Sequence, residues 1–269
     1  VTKVGALAED IQPGDRVVIG NRVGGFAEYI NVDAASVRPI PDGVTFAKAA
    51  GYATAYLTAY VALAVRGQLQ PGETLLVHGA AGGVGMAAVD LGKQMGATVI
   101  ATAGSDEKLA RVQARGADHI INYRLENGEL GGFRETVKAL TDGRGADVIY
   151  DPVGGSVFDE SMRCINWGGR ILTIGFTSGV WPKAAVNHIL IKQIAVIGVR
   201  AGEIGRRDPA LGERCRQAVY DLLKDGQIDP YVCAHFPLPE SVDALAMLRD
   251  RKVVGKAVVT MNGYDPQLD

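Results

Sequence analysis

Short apolar runs and longer amphipathic stretches take turns along most of this chain. Between residues 74 and 199 the apolar runs at 74–78, 98–102, 119–122, 147–151, 170–175 and 194–199 are rich in β-branched residues and predict buried strands. Between them, apolar positions recur at helical spacing over 83–95, 105–115, 132–141 and 155–166, with a shorter helix near 185–191. Six strands alternating with helices predict a parallel sheet covered on both faces. In two βαβαβ halves this is the Rossmann arrangement of an α/β protein, with a ligand crevice at the carboxyl ends of the strands.

The flanks read differently. Residues 1–43 are β-rich: an opening strand at 1–4, a turn at Gln12-Pro13-Gly14 feeding a strand that ends at Ile19, and a strand at 25–30. Pro39 and Pro41-Asp42-Gly43 mark a boundary. Residues 46–63 predict two short helices broken near Gly51. Past the last strand come a long helix from Pro209 to Lys224, stopped by Gly226, a strand at 231–235, a helix at 240–249 and a strand at 256–260. This tail is too small to stand alone and is expected to join the N-terminal unit. The predicted division is therefore 1–43 with 227–269 as one domain and 44–226 as the other.

The most informative stretch is Thr74 to Lys93, where four glycines (Gly79, Gly82, Gly83 and Gly85) separate a strand from a helix. Such a turn points the unpaired N–H groups of the helix start, with the positive end of its dipole, at whatever lies above the strand. The spacing Gly79-x-x-Gly82-x-x-Gly85 is one residue longer in its first gap than the usual fingerprint, but its strand–turn–helix context is that of a dinucleotide site.

Composition narrows the classes. The 269 residues are 47% hydrophobic and carry 28 basic and 30 acidic side chains, for a net charge of −2. That balance offers no footprint for nucleic acid or an anionic membrane. No apolar run approaches the ~18–20 residues of a membrane span, and the residues from Val1 onward lack the apolar segment of a secretory signal. The three cysteines are far apart and imply no disulfide framework. The expected location is the cytoplasm.

The end of the second strand bears on which coenzyme binds. An NAD site places a carboxylate about 20 residues beyond the glycines; here that position falls near Gly104, with no acid at the strand end. Ser105 and Lys108 stand where a 2′-phosphate would lie, and a cation there forms a charge-assisted hydrogen bond. Ser105 also has the character of a helix N-cap and Lys108 of a solvated residue. Asp106 and Glu107 suit a helix N-terminus. The expectation is NADPH.

At this point the chain resembles the zinc-independent quinone oxidoreductases (zeta-crystallin-like) of the medium-chain dehydrogenase/reductase superfamily. The matching motifs include Pro13-Gly14-Asp15-Arg16-Val17, Gly24-Gly25-Phe26-Ala27-Glu28-Tyr29, Thr58-Ala59-Tyr60 and His78 to Gly85. They continue with Gly116-Ala117-Asp118, Asn122-Tyr123, Asp151-Pro152-Val153-Gly154-Gly155, Gly169-Arg170 and Gly255-Lys256. The resemblance implies a Rossmann domain with a partial GroES-like catalytic domain. It also implies Gly104, Ser105, Lys108 and Tyr123 around the adenosine 2′-phosphate, Thr58 near nicotinamide and diphosphate, and Gly82, Gly83 and Val84 under the diphosphate. Gly175, Phe176, Thr177, Ser178, Val199 and Arg200 would line the nicotinamide, and Val153 and Lys256 complete the cofactor set. Tyr123 as a surface aromatic and Phe176 as a core residue are the plainer alternatives.

The same resemblance implies hydride transfer from NADPH to a quinone or another α,β-unsaturated carbonyl. An enoyl-thioester reductase and a non-catalytic, crystallin-like NADPH-binding protein are the alternatives. Zinc-dependent relatives carry a cysteine-rich lobe between the two motifs that here run Pro13 to Val17 and Gly24 to Tyr29; this interval has no cysteine, so no metal is expected. The exposed apolar edge at 194–199 predicts a homodimer. In this family the β-rich domain begins some sixty residues before the position Val1 resembles. The chain is therefore expected to lack that segment and the catalytic Asn and Tyr side chains within it, leaving the catalytic residues of this sequence unassigned.

Overall fold

In the computed structural model, which describes residues 1–20, 23–124, 127, 129–261 and 264, strand β1 (Val17–Ile19) pairs antiparallel with β2 (Val37–Pro39). Helix α1 (Phe46–Tyr60) follows and runs into a π-helical turn at Val61–Arg66. The Rossmann series is β3 (Thr74–Val77), α2 (Gly83–Gln94), β4 (Thr98–Ala103), α3 (Asp106–Gln113), β5 (His119–Asn122), α4 (Arg134–Ala139), β6 (Ala146–Asp151), α5 (Ser156–Cys164), β7 (Ile165–Thr173), α6 (Val186–Lys192) and β8 (Ala195–Gly198). Helices α7 (Ala201–Arg207) and α8 (Pro209–Lys224), strand β9 (Val232–Pro237), helix α9 (Ser241–Arg249) and strand β10 (Lys256–Thr260) complete the chain.

Strands β3 to β8 form one parallel sheet in the order β5-β4-β3-β6-β7-β8, the doubly wound order in which the chain reverses direction between β3 and β6. Every residue of β3 is buried, as a strand covered on both faces requires. Leu75 and Val99 lie against Gly92 of α2, where a β-carbon would come within 2.5 Å of Leu75 Cδ2. Leu76, Ile100, Ile149 and Ile171 pack on the other face with Phe133 and Val137 of the α4 segment and Phe158 and Met162 of α5. The α/β class and the six-stranded Rossmann sheet read from the sequence are the ones observed.

The chain divides into two units, Val1–Ala53 with Tyr220–Asp269 and Thr54–Val219. The last residues of the segment 227–269, namely 262, 263 and 265–269, lie outside the described residues. In the first unit β9 and β10 pair parallel, and Arg16 anchors the entry to α1 by donating to the Val44 carbonyl at 2.8 Å beneath the Phe46 ring.

Several local expectations are corrected. Residues 1–4 and 25–30 form no strand; Phe26 and Tyr29 are exposed, and an extended run becomes a strand only where a neighbour completes its ladder. Gly51 does not break the helix. It lies inside α1, where burial of Ala47, Ala49, Tyr52, Ala55 and Tyr56 outweighs the roughly 1 kcal/mol that glycine costs a helix. Strand β7 begins at Ile165, earlier than expected, because Gly169 lets it kink past Ile165 and the Asp147 carbonyl where its register with β6 shifts. Strand β2 and helix α7 had no distinct signal in the sequence pattern.

Candidate functional site

The carboxyl ends of the parallel strands gather most of the expected residues. After β3 the chain turns on Gly79, whose carbonyl accepts the Gly82 N–H at 2.9 Å, and enters α2 with Gly82 as N-cap. Among the described residues no side chain caps this helix and its first turn holds no acid, so the N–H groups at Gly83 and Val84 remain for a ligand. Gly85 is needed for a different reason: a β-carbon there would fall 2.4 Å from the Gly79 carbonyl oxygen and 2.8 Å from Ala80 Cα. The loop and helix can touch only through a glycine.

Beneath this loop is a residue whose role the spacing did not disclose. His78 is fully buried; its Nδ1 lies 2.8 Å from Thr102 Oγ1 on β4, its Nε2 lies 2.8 Å from Ser161 Oγ on α5, and its ring packs on Phe133. Because Ser161 already donates its proton to the Val157 carbonyl, it must accept from the imidazole. That makes Nε2 the protonated nitrogen and Nδ1 the acceptor from Thr102. Burial lowers the His78 pKa to about 3, which keeps the ring neutral. His78 directly follows β3, and its hydrogen bonds tie β3, β4 and α5 together under the glycine loop.

At the end of β6, Asp151 receives the N–H groups of Val153 and Gly154 on Oδ1 at 2.8 and 2.9 Å. Burial raises its pKa against the pull of these bonds, and Oδ2 finds no hydrogen-bond partner among the described residues. Val153 leans on the glycine turn, 3.4 Å from where a Gly79 β-carbon would sit. Beyond β7, Gly175 leads into Phe176, Thr177 and Ser178. The N–H groups of Thr177 and Ser178 bond the Pro152 and Val153 carbonyls at 3.0 Å, so these two loops form one wall. Phe176 is 42% exposed and faces Trp181, which excludes the core alternative. Val199 is buried and donates to the Thr173 carbonyl; Arg200 is exposed and opens α7.

On the other side of the switch point, Gly104 and Ser105 follow β4. Ser105 caps α3 through the Lys108 N–H at 3.4 Å, and Lys108 lies one turn in. Tyr123 follows β5, half-buried against the sheet core, with its N–H on the Ala103 carbonyl. A further cation stands here that the spacing argument did not select. The Arg124 side chain lies over Gly104, its Nε 3.1 Å from the position a β-carbon would take. A count along one strand could not find it, because the parallel pairing of β4 with β5 (Ala103 opposite Asn122) makes the approach.

Two expected residues lie on other elements. Thr58 lies on α1 with its hydroxyl turned back to the Thr54 carbonyl at 2.7 Å. Lys256 belongs to the first unit, on β10, where burial lowers its pKa. Among the described residues no group of three or more His, Cys, Asp or Glu side chains could hold a metal ion, and no helix is long and apolar enough to cross a membrane.

An uncapped glycine turn, a glycine-gated helix start and a cationic strand end without an acid at Gly104 fit an extended, doubly charged dinucleotide. Sheet order and crevice define a protein of the Rossmann dinucleotide-binding type. The family described as zinc-binding dehydrogenase matches residues 83–218. A quinone oxidoreductase-like protein 2 homolog of Nematostella vectensis is 37% identical over 96% of this chain and 70% of its own length. The structure of Escherichia coli quinone oxidoreductase complexed with NADPH superposes with a TM-score of 0.82 at 28% identity, covering 96% of this chain and 78% of that one. The CurK enoyl reductase gives a TM-score of 0.80 at 28% identity over 97% of this chain and 76% of its own. The chain belongs to the medium-chain dehydrogenase/reductase superfamily, among its quinone oxidoreductase-like members.

Proposed function

We propose that this chain binds NADPH and directs its hydride to a quinone or another α,β-unsaturated carbonyl, without zinc. The observation that carries the coenzyme assignment is the end of β4, where Gly104 is followed by Ser105 and Lys108 and overlaid by Arg124. The nicotinamide supplies the hydride chemistry when bound. The residues of the chain bind and orient. Gly83 and Val84 hold the diphosphate with backbone N–H groups and the α2 dipole, and Gly82, whose own N–H is taken by Gly79, lets it approach closely. Val153, Gly175, Phe176, Thr177, Ser178, Val199 and Arg200 line the nicotinamide, with Thr58 also assigned to nicotinamide and diphosphate, and Lys256 of the first unit is read as a further coenzyme residue. The unit containing β1, β2, β9 and β10 is read as GroES-like, and the edge strand β8 as the seam of a homodimer. Among the described residues β8 has no partner strand on its outer side, and this edge with the exposed Val186, Leu190 and Ile191 of α6 supports that seam. A cytoplasmic location is kept on the absence of paired cysteines and of any basic or membrane-directed pattern.

The test is NADPH oxidation followed at 340 nm against a panel of quinones, enones and crotonyl thioesters. Turnover of quinones or enones is expected. The likeness to CurK favours a second reading, enoyl-thioester reduction, and turnover of thioesters alone would select it. Tight NADPH binding with no turnover of any acceptor would leave a binding protein.

A further inference from the structure

We propose that the first unit holds a ligand pocket of its own, between the start of α1 and strand β9, and that it takes a small planar aromatic carboxylate. The pocket measures about 240 Å³, and its described lining, which includes Thr45, Lys48, Pro230, Val232, His235 and Tyr264, belongs wholly to that unit. None of the residues assigned to the coenzyme is part of this lining. The strand is shaped to aim into it. Strands β9 and β10 run parallel with one shift of register: Val232 lies opposite Lys256 but Ala234 opposite Ala257, so Cys233 is an extra residue. In an unbroken strand Val232 and His235, three positions apart, would face opposite sides of the sheet. The bulge reverses that alternation and brings both to the pocket.

The lining decides what fits. His235 and Tyr264 set their rings nearly parallel, 22° apart with centroids at 6.2 Å, and so offer a flat wall on which a planar ring can lie. Pro230 and Val232 add apolar surface. To one side Lys48 Nζ meets Asp229 Oδ1 at 2.7 Å, with the lysine side chain 42% exposed. An ammonium has three N–H donors and this bond takes one, so Lys48 can also donate to an anion. Thr45 accepts the Lys48 backbone N–H on Oγ1 at 3.2 Å, which leaves the proton of its hydroxyl to give. A cation and a hydroxyl donor beside an aromatic wall suit a carboxylate carried on a ring. Asp229, at the same ammonium, repels a dianion, which favours a carboxylate over a phosphate. The volume falls below the ~300 Å³ at which pockets for drug-sized ligands begin, which holds the occupant to about one ring.

Binding is measured on the whole chain by calorimetric titration and by proton–nitrogen NMR. The probe is benzoate, with benzamide as its neutral and cyclohexanecarboxylate as its non-planar counterpart, each with and without NADPH. Benzoate is expected to bind more tightly than either counterpart, to be unaffected by NADPH, and to shift the signals of Thr45, Val232 and His235. Lys48→Gln should raise its Kd roughly 10-fold, the loss of one charge-assisted bond, and Lys48→Arg should keep most of the affinity. His235→Ala should raise the Kd roughly 3- to 10-fold through the lost ring contact. Failure of benzoate to bind overturns the proposal, as does equal binding of either counterpart or an unchanged Kd in Lys48→Gln or His235→Ala. Displacement of benzoate by NADPH overturns it too, because the probe would then sit in the coenzyme crevice. None of these outcomes decides the coenzyme reading, which titration with NADPH alone tests separately.

Discussion

His78 makes the stability of this chain depend on pH in a way that one substitution should remove. The folded chain holds the imidazole neutral down to about pH 3 because the ring is wholly buried. In the unfolded chain it titrates near the ordinary value of about 6.5. The folded pKa is the lower of the two, so the unfolded state takes up a proton that the folded state refuses. The associated stability is fully present above pH 6.5 and is lost as pH falls from 6.5 toward 3. Each unit below 6.5 costs about 1.4 kcal/mol, or about 2 kcal/mol in all between pH 7.5 and pH 5.

Urea unfolding of the wild type and of His78→Gln, followed by circular dichroism at both pH values, isolates this contribution. Glutamine does not titrate, and the carboxylates and other histidines shared by the two proteins cancel in the difference. The variant should be weaker at pH 7.5 by about 1–3 kcal/mol, since Thr102 and Ser161 lose well-placed partners. Its further loss on going to pH 5 should be about 2 kcal/mol smaller than that of the wild type. Nitrogen-15 shifts of the wild-type ring should show one tautomer, protonated on Nε2, unchanged from pH 7.5 to pH 5. Equal pH slopes in the two proteins, or a ring that titrates near 6.5, would refute the reasoning.

Three other outcomes follow from the same geometry. Gly85→Ala should force the glycine loop from the helix start and weaken NADPH and NADH alike by about tenfold or more, read by fluorescence titration; unchanged affinity would mean the loop yields freely. Arg170 binds both oxygens of Glu73 at 2.7 and 2.8 Å and the carbonyls of Gly67 and Gln68, so Arg170→Met should cost about 2–4 kcal/mol of stability in urea. Burial opposes ionisation of Glu73, but the bonds from Arg170 and the Gln70 N–H outweigh it and hold the carboxyl below its ordinary range. The resulting stability is present above about pH 4.3 and lost as pH falls through the depressed value, and the Met variant should lack that acid-side loss. Burial pushes the Cys164 thiol up to about 12 and raises that of Cys215, so a thiol reagent at pH 8 should modify half-buried Cys233 first and the other two only on unfolding.

How far the sequence could be read depended on how local each feature's cause was. The Rossmann sheet was legible because its central strands β3, β4 and β6 are buried on both faces and so write a nearly unbroken apolar run, as Leu75 to Val77 does. The glycine turn was legible because backbone approach to phosphate needs missing side chains at fixed spacing. Gly51 misled because glycine's intrinsic cost is small against the burial along α1. Phe26 and Tyr29 misled because alternation announces a strand but says nothing of whether a neighbour is there to pair with it. Arg124 and the bonds of His78 were invisible for a shared reason. Arg124 meets Gly104 across 20 residues and His78 meets Ser161 across 83, contacts that only the sheet register creates.

On the proposed reading, affinity and selectivity are held by different strands. The diphosphate is common to NADPH and NADH, so whatever disturbs the β3 turn, the Gly85 contact or the His78 bonds beneath it must weaken both coenzymes by the same factor. The 2′-phosphate belongs to one of them, so only the β4 and β5 ends, through Ser105, Lys108 and Tyr123, can change the ratio. Asn122 links the two strand ends by holding Asp106 on the α3 side and the Arg124 backbone on the β5 side. Selectivity should therefore shift without loss of NADH affinity when Lys108 or Ser105 is changed, while changes at Gly85 or His78 should scale both affinities together. A single variant of the β3 turn that altered the ratio would break this separation.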